Sequence, residues 1–404
     1  MIKQILKSLL LLLTLVSTTQ AADSALFGGW AGLRPALEER GVTADAVLTS
    51  DFLYNTRGGN EEDGTILGNF DLTFAVDTAK AGWWENGTFF IYFLGNFNSN
   101  GPMTEITGDL QAASNIEADQ TFKLYEIWYE HRFAAERLSL LLGLHDFNSE
   151  FDVLEYAGLF INSSFGISPD ISQNGPSIFP STALALRIKV QPTDTSYIMA
   201  AIYDGVPGDP DNPPRTAVIL KKEDGVFAAL ELGITAGAAD QADYYKLAVG
   251  GWLHTAEVEN FNGQVHSYNR GFYLIGEKML YDEGPDGQGL GGFIQFGIAD
   301  DDLNQIASYW GAGLHYTGLF PGRDNDITGL AVAHANSGDE FLRYSETQLG
   351  KVVEHSETAI ELSYRGELTP WLVLQPNAQY ILNPNMDPAV DDALQVSVRM
   401  ELTF

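Results

Sequence analysis

Leu394-Gln-Val-Ser-Val-Arg-Met-Glu-Leu-Thr-Phe404 decides how the rest of the chain is read. Taking every second residue puts Leu394, Val396, Val398, Met400, Leu402 and Phe404 on one face. Gln395, Ser397, Arg399, Glu401 and Thr403 fall on the other. Strict alternation over this length is the pattern of a β-strand with one apolar and one polar face. A strand of a soluble sandwich shares that period. Full charges on the wet face and an aromatic last residue favour a strand with lipid on one side and water on the other, closing a transmembrane β-barrel.

The opposite end of the chain agrees. Met1-Ile-Lys-Gln-Ile-Leu-Lys7 carries two lysines and runs into Leu9–Val16, apolar apart from Thr14. Small residues follow, with a cleavage point expected after Ala21, so residues 1–21 read as a secretory signal peptide. No later stretch reaches the ~18 apolar residues that a membrane helix needs, so membrane residence has to come through strands. Removing the leader takes away two lysines and no acids, which moves the net charge from −32 to −34. Such a charge argues against nucleic acid as a partner, because phosphate binding needs basic patches. With no cysteine there are no disulfides and no thiolate metal sites.

Residues 22–43 read as an N-terminal periplasmic segment with a short amphipathic helix around Leu33–Arg40, stopped by Gly41. The helix packs at the periplasmic rim or partly inside; the sequence leaves both open. From residue 44 to 404 the chain reads as strands. Asn69–Asp77, Arg137–His145, Ala185–Gln191 and Thr358–Arg365 each place aliphatic or aromatic residues on one face and polar or charged residues on the other. On the second of these, Leu138, Leu140, Leu142 and Leu144 oppose Arg137, Ser139 and His145. Short connections (133–135, 192–194, 321–326, 366–370) alternate with long ones (98–120, 148–180, 203–225, 335–357). Short turns at one rim and long loops at the other is the outer-membrane arrangement.

A first pass finds seventeen strand candidates, one more than the even number that single-chain bacterial barrels require. The mismatch falls between Tyr203 and His254, and assigning Thr216–Lys222 to an outer loop removes it. The expected fold is therefore all-β: an antiparallel transmembrane barrel of about sixteen strands with a short N-terminal helix and long extracellular loops. Pro376 breaks a local rule, since it sits inside the strand Leu372–Ile381 without an N–H to donate.

Five groups of segments carry a family likeness. They are Gly29-Trp-Ala-Gly-Leu-Arg34 with Arg40-Gly41 and Asn55-Thr-Arg-Gly-Gly59; Leu124-Tyr-Glu-Ile-Trp128 with Leu142-Gly143 and Phe160-Ile-Asn-Ser-Ser-Phe-Gly166; Leu186-Arg187, Pro192-Thr-Asp194 and Ala201-Ile-Tyr-Asp-Gly205; Gly313–Arg323; and Gln375–Tyr380 with Asn383-Pro384. In this order and spacing the chain resembles the carbohydrate-selective porins of the OprB type. The resemblance implies a sixteen-stranded barrel in the bacterial outer membrane that passes small sugars, typically glucose, down their gradient.

A sugar channel needs hydrogen-bonding and charged groups on a wetted wall, an aromatic face for the ring, and binding weak enough to release. On Phe122–Arg132, Tyr125, Ile127 and Tyr129 share one face and Glu126, Trp128 and Glu130 the other. With the first face toward lipid, Glu126 and Trp128 point into the lumen; the competing place for Trp128 is the aromatic girdle. Arg187 and Lys189 lie on the next inward row, either as sugar ligands or as lumen charges paired with carboxylates. The family's arginine and acid constriction singles out Glu126 and Arg187. Asn162, on a loop long enough to fold into the barrel or cap it, and Arg399 on the last strand complete the expected pore lining.

No catalytic, phosphate-cradling or dinucleotide motif is present and the seven histidines lack helical metal spacing, so no cofactor, metal or enzymatic activity is expected. Asp300-Asp-Asp302-Leu-Asn304 reads as a solvated acidic loop rather than a calcium site. A Ser139/His145 hydrolase pair is weakened by six residues of strand, roughly 20 Å of rise. The sequence also allows a general porin for small hydrophilic solutes or an adhesive barrel. Small sugars, outer-membrane lipid and lipopolysaccharide are the expected partners. Porins are commonly trimers, which leaves a homotrimer open.

Overall fold

The computed structural model describes residues 25–284 and 287–404; the signal-peptide reading lies outside them. Sixteen antiparallel strands close into a barrel. In chain order they are β1 (Val42–Gly59), β2 (Gly64–Asp77), β3 (Gly87–Asn98), β4 (Thr121–Phe133), β5 (Leu138–His145), β6 (Ala183–Thr193), β7 (Ser196–Asp204), β8 (Val226–Ala236) and β9 (Tyr245–His254). A two-stranded hairpin, β10 (Val258–Glu259) and β11 (Val265–His266), stands on the following loop outside the barrel. The wall resumes with β12 (Asn269–Asp282), β13 (Gly289–Ala299), β14 (Ile306–Thr317), β15 (Ile327–Ser337), β16 (Ser356–Thr369), β17 (Leu372–Leu382) and β18 (Asp391–Thr403).

β18 closes the barrel on β1, with Arg399 opposite Asp51 and Val396 opposite Tyr54. The alternation read from the last strand holds where it can be checked: Gln395, Ser397 and Arg399 are buried inward, while Leu394 and Val396 are exposed outward. Thr216–Lys222 lies in the loop between β7 and β8, so the strand count is even. Pro376 is accommodated locally. Its pairing to Val398 on β18 continues, but the ladder to β16 skips from Ser363–Asn377 to Gly366–Leu374. The missing donor therefore faces β16.

The N-terminal helix, Leu33–Glu38, sits at the short-turn rim beside the end of the chain. Arg34 Nη2 donates to the Phe404 carbonyl at 2.8 Å, the Leu26 N–H donates to the Thr403 carbonyl, and the Phe27 and Phe404 rings are 5.5 Å apart.

The lumen is not simply wet. The loop of residues 146–182 folds inside and packs Phe147, Phe151, Phe160, Phe165 and Ile171 against Tyr203, Phe227, Phe293 and Tyr309 of the wall. The wall makes room with small inward residues: Ala331, Ala333, Ala335 and Ala359 are all essentially buried. At Gly291 a Cβ would stand 2.4 Å from the Tyr156 ring, and at Gly329 2.4 Å from the Leu159 side chain, so only glycine permits that approach.

Three inward glutamates hold this loop by its main chain. Glu231 on β8 accepts the Asp152 N–H; Glu277 on β12 accepts those of Glu155 and Tyr156; Glu361 on β16 accepts those of Ile161 and Asn162. A fourth, Glu357, takes the Leu110 and Gln111 N–H groups of the loop 99–120, which also enters the barrel. Carboxylate acceptors suit adjacent N–H pairs because charge-assisted bonds are short and strong.

Candidate functional site

A β-bulge on β4 sets the geometry of the site. Against β3 the register jumps from Tyr92–Glu126 to Phe93–Leu124, which leaves Tyr125 as the extra residue. A bulge re-aims the side chains around it. Lys123 and Tyr125 are buried inward before it, and Glu126 and Glu130 inward after it, while Ile127 is exposed outward. The expected lipid-facing position of Tyr125 is thus corrected: its hydroxyl donates to Asp146 Oδ2 at 2.5 Å and its ring meets Tyr92 edge-on.

Five of the seven expected pore-lining residues, Glu126, Trp128, Glu130, Arg187 and Lys189, line one cavity of about 440 Å³ between β3, β4, β5, β6 and the start of the inserted loop. Glu136 and Gln191 place its mouth toward the short-turn rim. Trp128 is a lumen residue, not a girdle residue. Its indole stacks on Phe90 with centroids 4.8 Å apart, and its Nε1 donates to Glu126 Oε2 at 3.1 Å. The other Glu126 oxygen accepts the Asp146 N–H at 2.7 Å. Asp146 opens the inserted loop, and burial pushes its carboxyl up to about 6 despite donation from Tyr125 and the Asn148 N–H.

Arg187 is buried and fully engaged. Its Nε and Nη2 bond Glu150 at 2.6 and 2.9 Å, Nη2 also reaches Glu130 at 2.9 Å, and Nη1 donates to Ser139 at 2.5 Å. Arg132 extends the chain of charge through Glu130 at 3.1 Å. Lys189 differs: it has no hydrogen bond or ion pair among the described residues, and its Nζ lies 5.5 Å over the Tyr197 ring. Its ammonium therefore keeps its donors free among the described residues.

Two expected pore residues are not brought here. Arg399 closes the barrel seam: Nε and Nη2 grip Asp51 at 2.7 and 2.8 Å, and Nη2 meets Asn115 of the inserted loop 99–120. Asn162 is wholly buried, donating to Gln379 and capping Ser164, and so anchors the loop rather than facing solute. Ser139 does not meet His145. Instead His145 contacts Ser149 at 3.2 Å, whose hydroxyl already donates to the Asp146 carbonyl. With that donation made, the serine oxygen is left to accept from the imidazole. Among the described residues, no group of three or more His, Asp or Glu side chains is arranged to hold a metal ion.

Sequence reading missed Phe90, Glu150 and the loop-holding glutamates. Phe90 lies in the run Phe89-Phe90-Ile91-Tyr92-Phe93, where every position is apolar or aromatic and the inward set cannot be told apart. The small inward residues Gly329, Ala331, Ala333 and Ala335 were a usable signal, since side chains this small leave a lumen to be filled by something else.

The model of the carbohydrate-selective porin OprB family matches residues 61–404. The chain belongs to this family. Porin B of Pseudomonas aeruginosa is 23% identical over 94% of the chain and 91% of its own length. The putative porin QuiX of Acinetobacter baylyi is 24% identical over 94% and 93%. The high-pH structure of Pseudomonas putida OprB superposes with a TM-score of 0.84 at 19% identity, covering 96% of this chain and all of that one, which fixes the fold. Membership makes the barrel an outer-membrane, carbohydrate-selective porin. In this OprB-family porin the large inserted loop fills part of the lumen and leaves the cavity against β3–β6.

Proposed function

We propose that sugars crossing this porin pause on the Trp128–Phe90 platform, with Lys189, Glu136 and Gln191 as exchangeable hydrogen-bond partners. The observation that carries the reading is the stacked aromatic pair within a charged cavity. An aromatic face suits the apolar side of a pyranose, and half-exposed polar groups bind hydroxyls without holding them. Arg187 and Glu126 act one step back: Arg187 fixes the Glu130 and Glu150 carboxylates, and Glu126 fixes the indole. Transport is passive and no chemical step is proposed.

The test is conductance of the purified barrel in a planar bilayer, titrated with glucose, other monosaccharides and a disaccharide. Saturable block by sugars, absent with a size-matched amino acid and lost in Trp128→Ala, is expected. Block that persists unchanged in Trp128→Ala would move the sugar site elsewhere. Conductance indifferent to every sugar would make this a general diffusion channel.

A further inference from the structure

On the outer wall a groove of about 480 Å³ runs down β8, β9 and β12. Its floor is made of the small residues Ala228 and Gly251, and Leu230, Leu253 and Phe272 form exposed walls. The floor is low for a structural reason: a Cβ on Gly251 would stand 3.0 Å from the Phe272 ring. One charged side chain lines this apolar groove, Arg270. It is the second residue of β12, directly after the loop 255–268, so it stands at the long-loop rim.

The Arg270 guanidinium lies 5.5 Å over the exposed Tyr268 ring and makes no ion pair or side-chain hydrogen bond among the described residues. A guanidinium left unpaired among the described residues at the edge of an apolar groove stands out on a chain of net charge −32. A groove of this kind pairs an acyl chain below with an anionic headgroup above. Basic residues near an anionic membrane surface are drawn to its headgroups.

We propose that this groove binds one phosphorylated, acylated glycolipid of the outer leaflet, the lipid A portion of lipopolysaccharide. An acyl chain lies along Ala228 and Gly251, and a phosphate is paired with Arg270. The position at the long-loop rim selects the outer leaflet, and the single guanidinium selects a phosphate over a neutral headgroup. Tyr268 holds the guanidinium over its ring, so less freedom is lost when the phosphate arrives.

The test is native mass spectrometry of the folded, full-length mature barrel in detergent after incubation with three probes: diphosphoryl lipid A, the same lipid with its phosphates removed, and phosphatidylglycerol. One diphosphoryl lipid A retained per barrel is expected. Retention should fall at least tenfold with the dephosphorylated lipid, with phosphatidylglycerol, in Arg270→Glu and in Ala228→Trp, which fills the groove. Both variants are first shown to be folded by their heat-dependent gel mobility. Equal retention of all three lipids, or unchanged retention in folded Arg270→Glu, would overturn the proposal. A lipid-free pair of chains that Ala228→Trp separates would also overturn it, making the groove a contact between two copies.

Discussion

Arg187 and Glu150 form a two-pronged ion pair, Nε to Oε2 at 2.6 Å and Nη2 to Oε1 at 2.9 Å, that ties barrel strand β6 to the first turn of the inserted loop. The same guanidinium also neutralises Glu130. The arginine singled out from the sequence is therefore engaged as an electrostatic clamp, while the neighbouring Lys189 makes no ion pair among the described residues.

Arg187→Ala strips Glu150 of its guanidinium partner and leaves Glu130 with Arg132 alone. Deleting one partner of a buried pair costs roughly 3–5 kcal/mol, so a clear fall in melting temperature is expected together with a shift of the reversal potential toward cation selectivity. Arg187→Lys rescues neither fully, because a point charge cannot replace the fork. Wild-type melting and an unaltered reversal potential in Arg187→Ala would contradict the clamp.

Trp128→Ala should weaken sugar block about tenfold, ~1.4 kcal/mol, and Trp128→Phe should keep most of it. Glu126→Gln should weaken block less, about threefold. The amide sets an NH2 group against one of the two N–H donors, Asp146 or Trp128, that the carboxylate now satisfies. Sugar titrations of single-channel current separate the two. A Glu126→Gln loss larger than that of Trp128→Ala would make the carboxylate the direct ligand.

Glu361→Ala removes the acceptor of the Ile161 and Asn162 N–H groups and of Ser363 and Asn377. Bonds to a charged group contribute about 1.5–3 kcal/mol each, so the centre of the inserted loop should lift from the wall. Larger and noisier conductance, with faster proteolysis within residues 146–182, is the expected result. A quiet channel with a protease-resistant loop would show that aromatic packing alone seats it.

Asp152 gives a pH dependence. Burial raises its carboxyl from 3.8 to about 7 in the folded loop. A group whose folded pKa is raised contributes stability that is full below its unfolded value and is lost as pH rises through the folded value. The loop should therefore be seated more firmly at pH 5 than at pH 8, read by hydrogen exchange of its amides. Asp152→Asn, neutral throughout, should reduce that difference and leave the smaller part that Asp146 contributes at about 6; an identical pH profile in the variant would assign it to another group.

The barrel itself was legible residue by residue. Lipid favours an apolar side chain at outward positions, so Leu186 and Ile188 alternate with Arg187 and Lys189, and the same rule marked β18. Alternation alone gave seventeen strands, and the need of a closed barrel for an even number sent Thr216–Lys222 to a loop. Lumen residence of Glu126, Trp128 and Arg187 followed from that parity. What each lumen group does was decided in three dimensions. Tyr125 turns inward because of one extra residue on β4. Arg399 is closed off by Asp51, 348 positions away in sequence. Asn162 is buried because Glu361 and Gln379 meet the loop that carries it. Alternation is imposed locally by the solvent on each side of a strand. Pairing inside the lumen depends on register between distant strands and on which loops fill the space, and neither is written within any one segment.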